Sequence, residues 1–410
     1  MTMESGNISA VRETPDSNGQ YGVGVTDGGD FTMTGGKIEA GWFAVAGNGN
    51  YKTQNSIINI TDGELISTAD YAVYLPQSGT TTISGGKVYG AAGGVCIQRG
   101  TLNVEGTALI TSKGTGSTGN WGDGTGGLDC AAINVSGAYG IATVNIKGGT
   151  LIAEAKSLIT EGTTYTPVIN VTGGTFSDPS VLKYMATNAT VDIKLLSNIN
   201  IAKTELATGY ILNAANATAN LNLNGHDIIN SSETADATPF TQIFTVQNGT
   251  LNISGNGNVK CDASATAKDD GYRMVIEARG YGTVNIHGGS YYNTQKLNTQ
   301  IDLIYARENG KINIYGGTFE SGKYGTPNND TDGRYWVLNL KNTDKNTASI
   351  QVSGGTFINF NPANPNMDDN ESYLVTGYEV TRDGSVYTAA HKVGDGRKEY
   401  IVGQTSQENR

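Results

Sequence analysis

A nine-residue sequence motif recurs along this chain and limits the folds that the chain can adopt. At residues 282–290 it reads G-T-V-N-I-H-G-G-S, and close variants stand at residues 142–150, 167–175 and 310–318. Apolar and polar residues alternate in the first part, which is the period-two pattern of a strand with one buried face. The Gly-Gly pair tolerates positive φ and predicts a tight corner. Since one strand and one corner cannot bury an apolar face alone, the repeats must stack into a solenoid.

Corner signals recur along the chain from Ser5-Gly6 to Gly354-Gly355, at roughly the 20–30-residue period of a solenoid coil. Each unit also holds an earlier strand and a third short strand after the corner, as in residues 303–314 and 318–320. We therefore predict an all-β fold, a single-stranded right-handed parallel β-helix of about thirteen coils over residues 1–358. The right-handed sense is the general preference of parallel crossover connections.

The repeat fades after Phe357, and the composition of the chain changes there. Residues 359–372 are rich in proline and asparagine and are predicted to be a linker. Residues 373–410 are predicted to contain a β-hairpin, because Asp383-Gly384 is a strong hairpin turn signal, and a further strand at residues 399–402. This C-terminal segment would either cap the open end of the coil stack or attach the chain to a partner.

Charge and cysteine content exclude several classes of function. The net charge is −11 and the pI is near 4.8, which disfavours a nucleic-acid partner because phosphate binding needs a basic face. The three cysteines lie far apart without C-x-x-C spacing, so buried single thiols are predicted rather than a disulfide framework or a zinc site. Without a run of about 18 apolar residues, no membrane insertion is expected.

One outward position repeats from coil to coil, the polar residue between two apolar residues just before the corner. It is asparagine in many coils: Asn59, Asn103, Asn145, Asn170, Asn222, Asn252, Asn285 and Asn313. Asparagines stacked in register can hydrogen-bond amide to amide along the stack. We predict a structural ladder; the alternative is a flat polar array that faces glycans or ice.

Two loops carry the candidate contact residues. Residues 113–129 form a Gly-rich insertion in which Trp121, flanked by Asp123 and Asp129, would stack on a sugar ring. The insertion lacks the G-K-[ST] ending of a phosphate-binding loop, and a plain surface loop is the alternative. Tyr335 and Trp336 follow an acidic loop and are also predicted to contact a glycan or a partner.

Metal binding and catalysis receive little support from the sequence. Asp330 and Asp332 fit the start of a calcium loop, but Asn339 stands where the closing glutamate belongs, so Ca²⁺ would be held only weakly. Solvated loop charge is the alternative reading of these acids. A polysaccharide-cleaving enzyme would need paired carboxylates or clustered Asp with Arg or Lys on consecutive coils, and we identify no such set. We predict no catalytic residues and no cofactor.

The repeat over residues 1–360 resembles the pectate-lyase-like right-handed β-helix family in architecture, which implies little about chemistry. The junction at residues 354–362 (G-G-T-F-I-N-F-N-P) and residues 373–388 (Y-L-V-T-G-Y-E-V-T-R-D-G-S-V-Y-T) resembles the end of β-helical modules in fibre or decoration proteins of tailed phages of gut bacteria, and in related bacterial surface proteins.

This resemblance implies a non-enzymatic structural protein on a virion surface. It would be a homo-oligomer that binds host-surface or mucosal glycans and joins other virion or surface proteins through its C-terminal segment. Two alternatives stay open. One is an extracellular adhesin on a bacterial cell surface, and the other is a β-helical polysaccharide lyase or glycoside hydrolase.

Overall fold

The computed structural model describes residues 1–11, 20–48, 54–118, 125–161, 164–201, 209–230, 240–261, 272–293, 301–321, 335–365 and 372–392. In these ranges the chain is almost entirely β, with two short 3₁₀ helices at Pro179–Tyr184 and Asn342–Asp344. No helix of the described part is long and apolar enough to cross a membrane.

The strands are short and closely spaced. The first eighteen are β1 (Thr2–Met3), β2 (Asn7–Ala10), β3 (Tyr21–Gly24), β4 (Asp30–Ala40), β5 (Phe43–Ala46), β6 (Ser56–Ser67), β7 (Tyr71–Leu75), β8 (Gly79–Ile83), β9 (Lys87–Gly90), β10 (Gly93–Ile97), β11 (Gly100–Val104), β12 (Leu109–Ser112), β13 (Ala131–Val135), β14 (Ala142–Ile146), β15 (Thr150–Ala153), β16 (Lys156–Thr160), β17 (Val168–Val171) and β18 (Thr175–Phe176). The remaining strands are β19 (Thr190–Lys194), β20 (Ile199–Ile201), β21 (Tyr210–Asn222), β22 (Ile228–Asn230), β23 (Phe240–Ser254), β24 (Asn258–Cys261), β25 (Tyr272–Ile286), β26 (Ser290–Asn293), β27 (Ile301–Ala306), β28 (Lys311–Ile314), β29 (Thr318–Ser321), β30 (Tyr335–Leu340), β31 (Ser349–Val352), β32 (Gly355–Ile358), β33 (Tyr378–Asp383) and β34 (Val386–His391).

The strands form three sheets, of 20, 6 and 8 strands, and nearly all their pairings are parallel. Each strand pairs with a strand that comes about one repeat later, so that Leu102 of β11 lies beside Val144 of β14. The predicted all-β class with a large parallel sheet is confirmed. Coils that stack through parallel pairing are what a strand-plus-corner repeat needs in order to bury its apolar face.

The core is one large cluster of inward side chains, with a smaller aromatic cluster around Phe43 and Tyr71. In β14, Ala142, Val144 and Ile146 are buried while Thr143 and Asn145 stay half-buried, so every second residue enters the core. After the corners, Tyr291, Phe319 and Phe357 stack with ring centroids 5.0 Å apart at each step. These repeated contacts remove each coil's apolar face from water and supply most of the driving force for stacking.

The corners depend on glycine for a steric reason. Gly317 has a φ of +102°, and a Cβ at this position would come within 3.0 Å of the carbonyl oxygen of Gly289 in the preceding coil. The second glycine of the pair therefore supplies both the backbone conformation and the close approach of two coils.

The stack changes register near its middle. β16 is the last strand of the six-stranded sheet, and β20 is the first strand of the eight-stranded sheet. Between them, the 3₁₀ helix Pro179–Tyr184 packs along β16, where Ser180 Oγ donates to the carbonyl oxygen of Leu158. β19 then pairs with β18, which places Asp192 beside Thr175.

The C-terminal segment joins the stack directly. β33 and β34 form the predicted antiparallel hairpin, and β34 also pairs antiparallel with β32. Tyr373 N donates to the carbonyl oxygen of Pro362, and Leu374 bridges to Val352. The hairpin thus covers the edge of the eight-stranded sheet. The predicted strand at residues 399–402 lies outside the described residues.

The cysteines are as predicted. Cys96, Cys130 and Cys261 are all buried and are present as single thiols.

Candidate functional site

The first candidate site is the outer face, which we define as the outward residues of the strands that immediately precede the corners. Its central row consists of amides that hydrogen-bond from coil to coil. Asn145 Nδ2 donates to Asn103 Oδ1 at 3.0 Å, and Asn170 Nδ2 donates to Asn145 Oδ1 at 3.0 Å. A second run follows the register change. In it Asn220 Nδ2 donates to Asp192 Oδ1, and the row continues through Asn252, Asn285 and Asn313, each with an Nδ2 to Oδ1 distance of 2.8 Å to the residue before it.

Two predicted members of the ladder are placed differently by the structure. Asn222 is outside the row: it pairs in register with Lys194 and Ser254, and its Oδ1 accepts from Asn224 N. Asn220 takes its place: this strand contains two apolar-polar-apolar triplets, and the strand register puts the first of them, with Asn220, beside Asp192 and Asn252. Asn59 occupies the expected register position, but its neighbours there are Thr32 and Thr82, which have no amide groups.

A pair of stacked rings lies beside the ladder in the C-terminal half. The His287 imidazole and the Tyr315 ring are parallel to within 9°, with centroids 4.7 Å apart. Both residues point outward, two positions after Asn285 and Asn313, and Tyr315 is 50% exposed. Tyr281 is on the same side of β25 and is 75% exposed. The outer face therefore combines aromatic surface with ordered amides.

Ordered amides of this kind are suited to bind hydroxyl groups. An amide inside the row, such as Asn285, uses one N–H and one oxygen lone pair for its two neighbours, while an asparagine side chain has two N–H donors and two lone pairs. The ladder fixes the direction of each amide, so the remaining donor and acceptor are already oriented before a ligand arrives. An aromatic ring beside such groups can pack against the apolar face of a sugar.

The predicted contact loop at residues 113–129 is described only in part. Trp121 and Asp123 lie outside the described residues, whereas Asp129 is placed against the six-stranded sheet. The carbonyl oxygen of Asp129 accepts from the Tyr71 hydroxyl and from Asn134 Nδ2, and its N–H donates to Glu161 Oε2. Backbone contacts of this residue thus attach the loop to the sheet, whose strands β7, β10 and β13 are buried on both faces.

Of the second predicted contact loop, the acidic loop before Tyr335, only the end is described. Asp330 and Asp332 lie outside the described residues, and Tyr335 is placed only as the first residue of β30. Trp336 is half-buried and pairs in register with Asp302 of β27. Among the described residues, no group of three or more His, Cys, Asp or Glu side chains is arranged to hold a metal ion.

A charged cluster that the sequence analysis missed lies next to Trp336; we call it the carboxylate cluster, and its centre is Glu277 and Asp302. Both are only 2% exposed and lie on neighbouring strands, β25 and β27. Arg307 Nε donates to Glu277 Oε1 at 2.6 Å, and Arg279 Nε lies 4.0 Å from Glu277 Oε2. Asn339 Nδ2 donates to Asp302 Oδ1 at 2.9 Å.

The two carboxylates differ in the groups that surround them and balance their charge. Glu277 faces two guanidinium groups and accepts longer hydrogen bonds from Gln242 and Thr245. For Asp302, the described contact is the neutral amide of Asn339. Burial, together with the nearby Glu277 charge, raises the pKa of Asp302 to about 7, despite the Asn339 hydrogen bond that lowers it. Asp302 is therefore only partly ionised at neutral pH, beside the Glu277 side chain that the two guanidinium groups face.

Comparisons of this chain with protein-family models, with curated proteins and with solved structures found no match.

Proposed function

We propose that this chain is a right-handed single-stranded parallel β-helix that acts without catalysis as a structural and adhesive module, and that it binds glycans on its outer face. The observation that carries the proposal is the stacked pair His287–Tyr315 beside the ordered amides of Asn285 and Asn313. A sugar chain offers both an apolar ring face and hydroxyl groups, and this combination of surfaces is complementary to it.

The charge of the outer face also supports a ligand that is not a nucleic acid. Its central row is made largely of neutral amides, and the whole chain is acidic. Binding of a neutral polysaccharide through stacking and hydrogen bonds is expected to depend little on salt, whereas phosphate binding weakens steeply as salt is added.

The test is retention of the purified chain on a panel of immobilised polysaccharides. We expect Tyr315→Ala to weaken binding to the retained polysaccharide by about fivefold, since one aromatic contact contributes on the order of 1 kcal/mol. The matched control is Tyr165→Ala, because Tyr165 is 47% exposed and is not part of the outer face. Equal losses for both variants, or retention of neither polysaccharide nor mucin by the wild-type chain, would refute the proposed site.

The proposed setting is a virion surface, or alternatively the surface of a bacterial cell, and it rests on the sequence resemblance of the C-terminal junction. We propose that the chain is a homo-oligomer there, with the hairpin segment as the attachment region for other virion or surface proteins. Light scattering of the purified chain tests the first part: a defined oligomer is expected, and a monomer across the micromolar range would count against it.

Polysaccharide cleavage is the second candidate function, and the carboxylate cluster is the observation that favours it. A carboxyl group with a raised pKa beside a second carboxyl group is the arrangement used in glycoside hydrolysis. The low exposure of Glu277 and Asp302 favours a structural role for them instead. Release of sugar products that is abolished by both Glu277→Gln and Asp302→Asn would establish the enzymatic alternative.

A further inference from the structure

The stacked rings of the outer face have a small residue on either side. The residue just before the corner glycine is Ser254, His287, Tyr315 and Ser353 in four successive coils. The backbone N–H groups of His287, Tyr315 and Ser353 each donate to a carbonyl oxygen of the preceding coil at 2.8 Å. These four side chains therefore form one outward column, in which a serine precedes the two rings and a serine follows them.

The two rings stand edge-on to the sheet. Their centroids are 4.7 Å apart and their planes are parallel to within 9°, while neighbouring strands are themselves about 4.8 Å apart. The rings thus stack along the direction in which the coils stack, and each ring has one face toward the other ring and one face toward a serine. Tyr315 is 50% exposed although His287 covers one of its faces, so the face toward Ser353 is open.

Beyond Tyr315 the outward side chains become shorter from one coil to the next. We call this place the step; it consists of Lys311, Asn313 and Tyr315 of β28 and Ser349, Gln351 and Ser353 of β31. Lys311 lies beside Ser349 and Asn313 lies beside Gln351 in the register of the two strands. The Tyr315 ring is therefore a wall at one end of the step, above a floor of hydroxyl and amide groups.

The polar groups of the step have hydrogen-bonding capacity left. In the described part of the chain the row of amide bonds ends at Asn313, whose Nδ2 donates to Asn285 Oδ1, so Asn313 Oδ1 can accept from a ligand. Gln351 is exposed, and Ser353 Oγ donates to the carbonyl oxygen of Ile314 at 3.3 Å and keeps its lone pairs. These groups are neutral. Lys311, at the far end, is exposed and can donate to a hydroxyl oxygen.

We propose that the step binds a flat, linear, neutral glycan whose sugar rings are joined through equatorial bonds, such as a β-1,4-linked chain. The apolar face of one sugar ring packs on the open face of Tyr315, above Ser353. A chain of this kind extends within the plane of its rings, so a ring held parallel to Tyr315 directs the chain along β31. The hydroxyl groups on one edge of the chain then meet Gln351 and Ser349.

This inference rests on the proposed function, because it names the class and the direction of the ligand at that same site. The size of the step also sets the length of the bound segment. From Ser353 to Ser349 the strand covers about 13 Å, at about 3.3 Å per residue. With bond lengths near 1.5 Å, one pyranose ring and its linkage extend about 5 Å, so the step holds about three sugar units.

The test compares trisaccharides of β-1,4-linked glucose, mannose and xylose with maltotriose, whose α-1,4 linkages turn the chain out of the plane of its rings. Binding to the whole chain is measured by calorimetry. At least one β-linked trisaccharide should bind about fivefold or more tightly than maltotriose, because maltotriose can place one ring on Tyr315 but loses a hydrogen bond to the floor. The affinity for that β-linked series should rise from the disaccharide to the trisaccharide and change little at the tetrasaccharide.

Two matched variants locate the bound face of the ring pair. Ser353 and Ser254 are both half-buried and lie at equivalent positions on opposite sides of the two rings. Ser353→Trp should cover the open face of Tyr315 and weaken trisaccharide binding about fivefold or more, whereas Ser254→Trp should cover the outer face of His287 and leave the affinity unchanged. Urea unfolding shows whether both variants keep the fold. Gln351→Ala, at an exposed side chain, tests the floor without a bulky residue and should weaken binding about fivefold.

The inference is overturned if no β-linked trisaccharide binds more tightly than maltotriose, or if Ser254→Trp weakens binding as much as Ser353→Trp does. Either result leaves the proposed function standing as long as polysaccharide retention still depends on Tyr315. If Tyr315→Ala changes neither polysaccharide retention nor trisaccharide binding, the outer-face site and the step are both refuted.

Discussion

The buried acid Asp302 makes the stability of the chain depend on pH in a way that one substitution should remove. Its pKa is about 7 in the folded chain, against an ordinary value of 3.8 in the unfolded chain. Between these values the folded form holds a proton that the unfolded form has released. The free energy of unfolding therefore falls as the pH rises through this window, and the loss is complete above the folded pKa.

The magnitude follows from the two pKa values. Integration of the linkage relation from about pH 5 to about pH 8 gives a loss of roughly 2.5 kcal/mol from Asp302 alone. Asp302→Asn keeps the oxygen that accepts from Asn339 Nδ2 and removes the ionisation. The stability difference between the variant and the wild-type chain should therefore shift by that amount in favour of the variant at the higher pH.

Urea unfolding monitored by circular dichroism at the two pH values measures this shift. Glu379→Gln is the matched control, because Glu379 is an exposed carboxylate of the hairpin and its removal should leave the wild-type slope unchanged. Parallel pH profiles for the wild-type chain and Asp302→Asn would show that Asp302 is solvated in the folded chain and would refute the buried-acid account.

Three further changes test the packing of the stack. Glu277→Gln should lower the free energy of unfolding by about 3 kcal/mol, because it leaves the Arg307 guanidinium without its buried partner. The control is Glu308→Gln, at an exposed carboxylate that also contacts Arg307, which should cost less than about 1 kcal/mol. Equal costs for the two variants would contradict this account. Asn285→Ala removes two ladder hydrogen bonds and should lower the free energy of unfolding, measured in urea, by about 1–2 kcal/mol. Thr283→Ala in the same strand is the control. A loss no greater than that of the control would show that the ladder does not stabilise the stack. Gly317→Ala should destabilise the folded chain by at least about 1–2 kcal/mol and lower its melting temperature, because φ is positive there. The control is Gly24→Ala, where a Cβ meets open space, and it should leave the melting temperature unchanged. A Gly317→Ala chain as stable as the wild type would contradict the corner geometry.

The stacked parallel strands were predictable because their signals are local. Alternation in residues such as Val284 and Ile286, with Gly288 and Gly289 behind them, identifies one strand and one corner without reference to any other coil. Stacking then follows from the need to bury the apolar side. The register of a strand against its neighbours is harder to predict. The triplets around Asn220 and Asn222 follow the same period, and a shift of two residues leaves the buried face unchanged.

The register change in the middle of the chain has a local sequence signal that the strand-and-corner pattern does not contain. Asp178 followed by Pro179 is a helix start: the Asp178 side chain accepts from Ser180 N and Pro179 stands in the first turn. This pair marks the place where a 3₁₀ helix replaces a strand. A cleft of about 550 Å³ that opens beside this helix could not be predicted, because its other walls come from β20 and β21.

The carboxylate cluster could not be predicted from periodicity. Gln242 lies 35 residues before Glu277, and Asn339 lies 37 residues after Asp302, so the contacts depend on coil lengths that vary along the chain. The strands that carry them are also buried on both faces over Gln242, Thr245, Glu277 and Asp302, and an all-buried strand shows no alternation that singles out its polar members.

The measurement that tests the central claim most directly is incubation of the purified chain with a panel of neutral and anionic polysaccharides. Retention of the protein and release of sugar products are followed in the same samples. The account predicts retention on at least one polysaccharide, weakened by Tyr315→Ala, with no new reducing ends or unsaturated products. Release of products that Asp302→Asn and Glu277→Gln abolish would contradict it and make the carboxylate cluster a catalytic site.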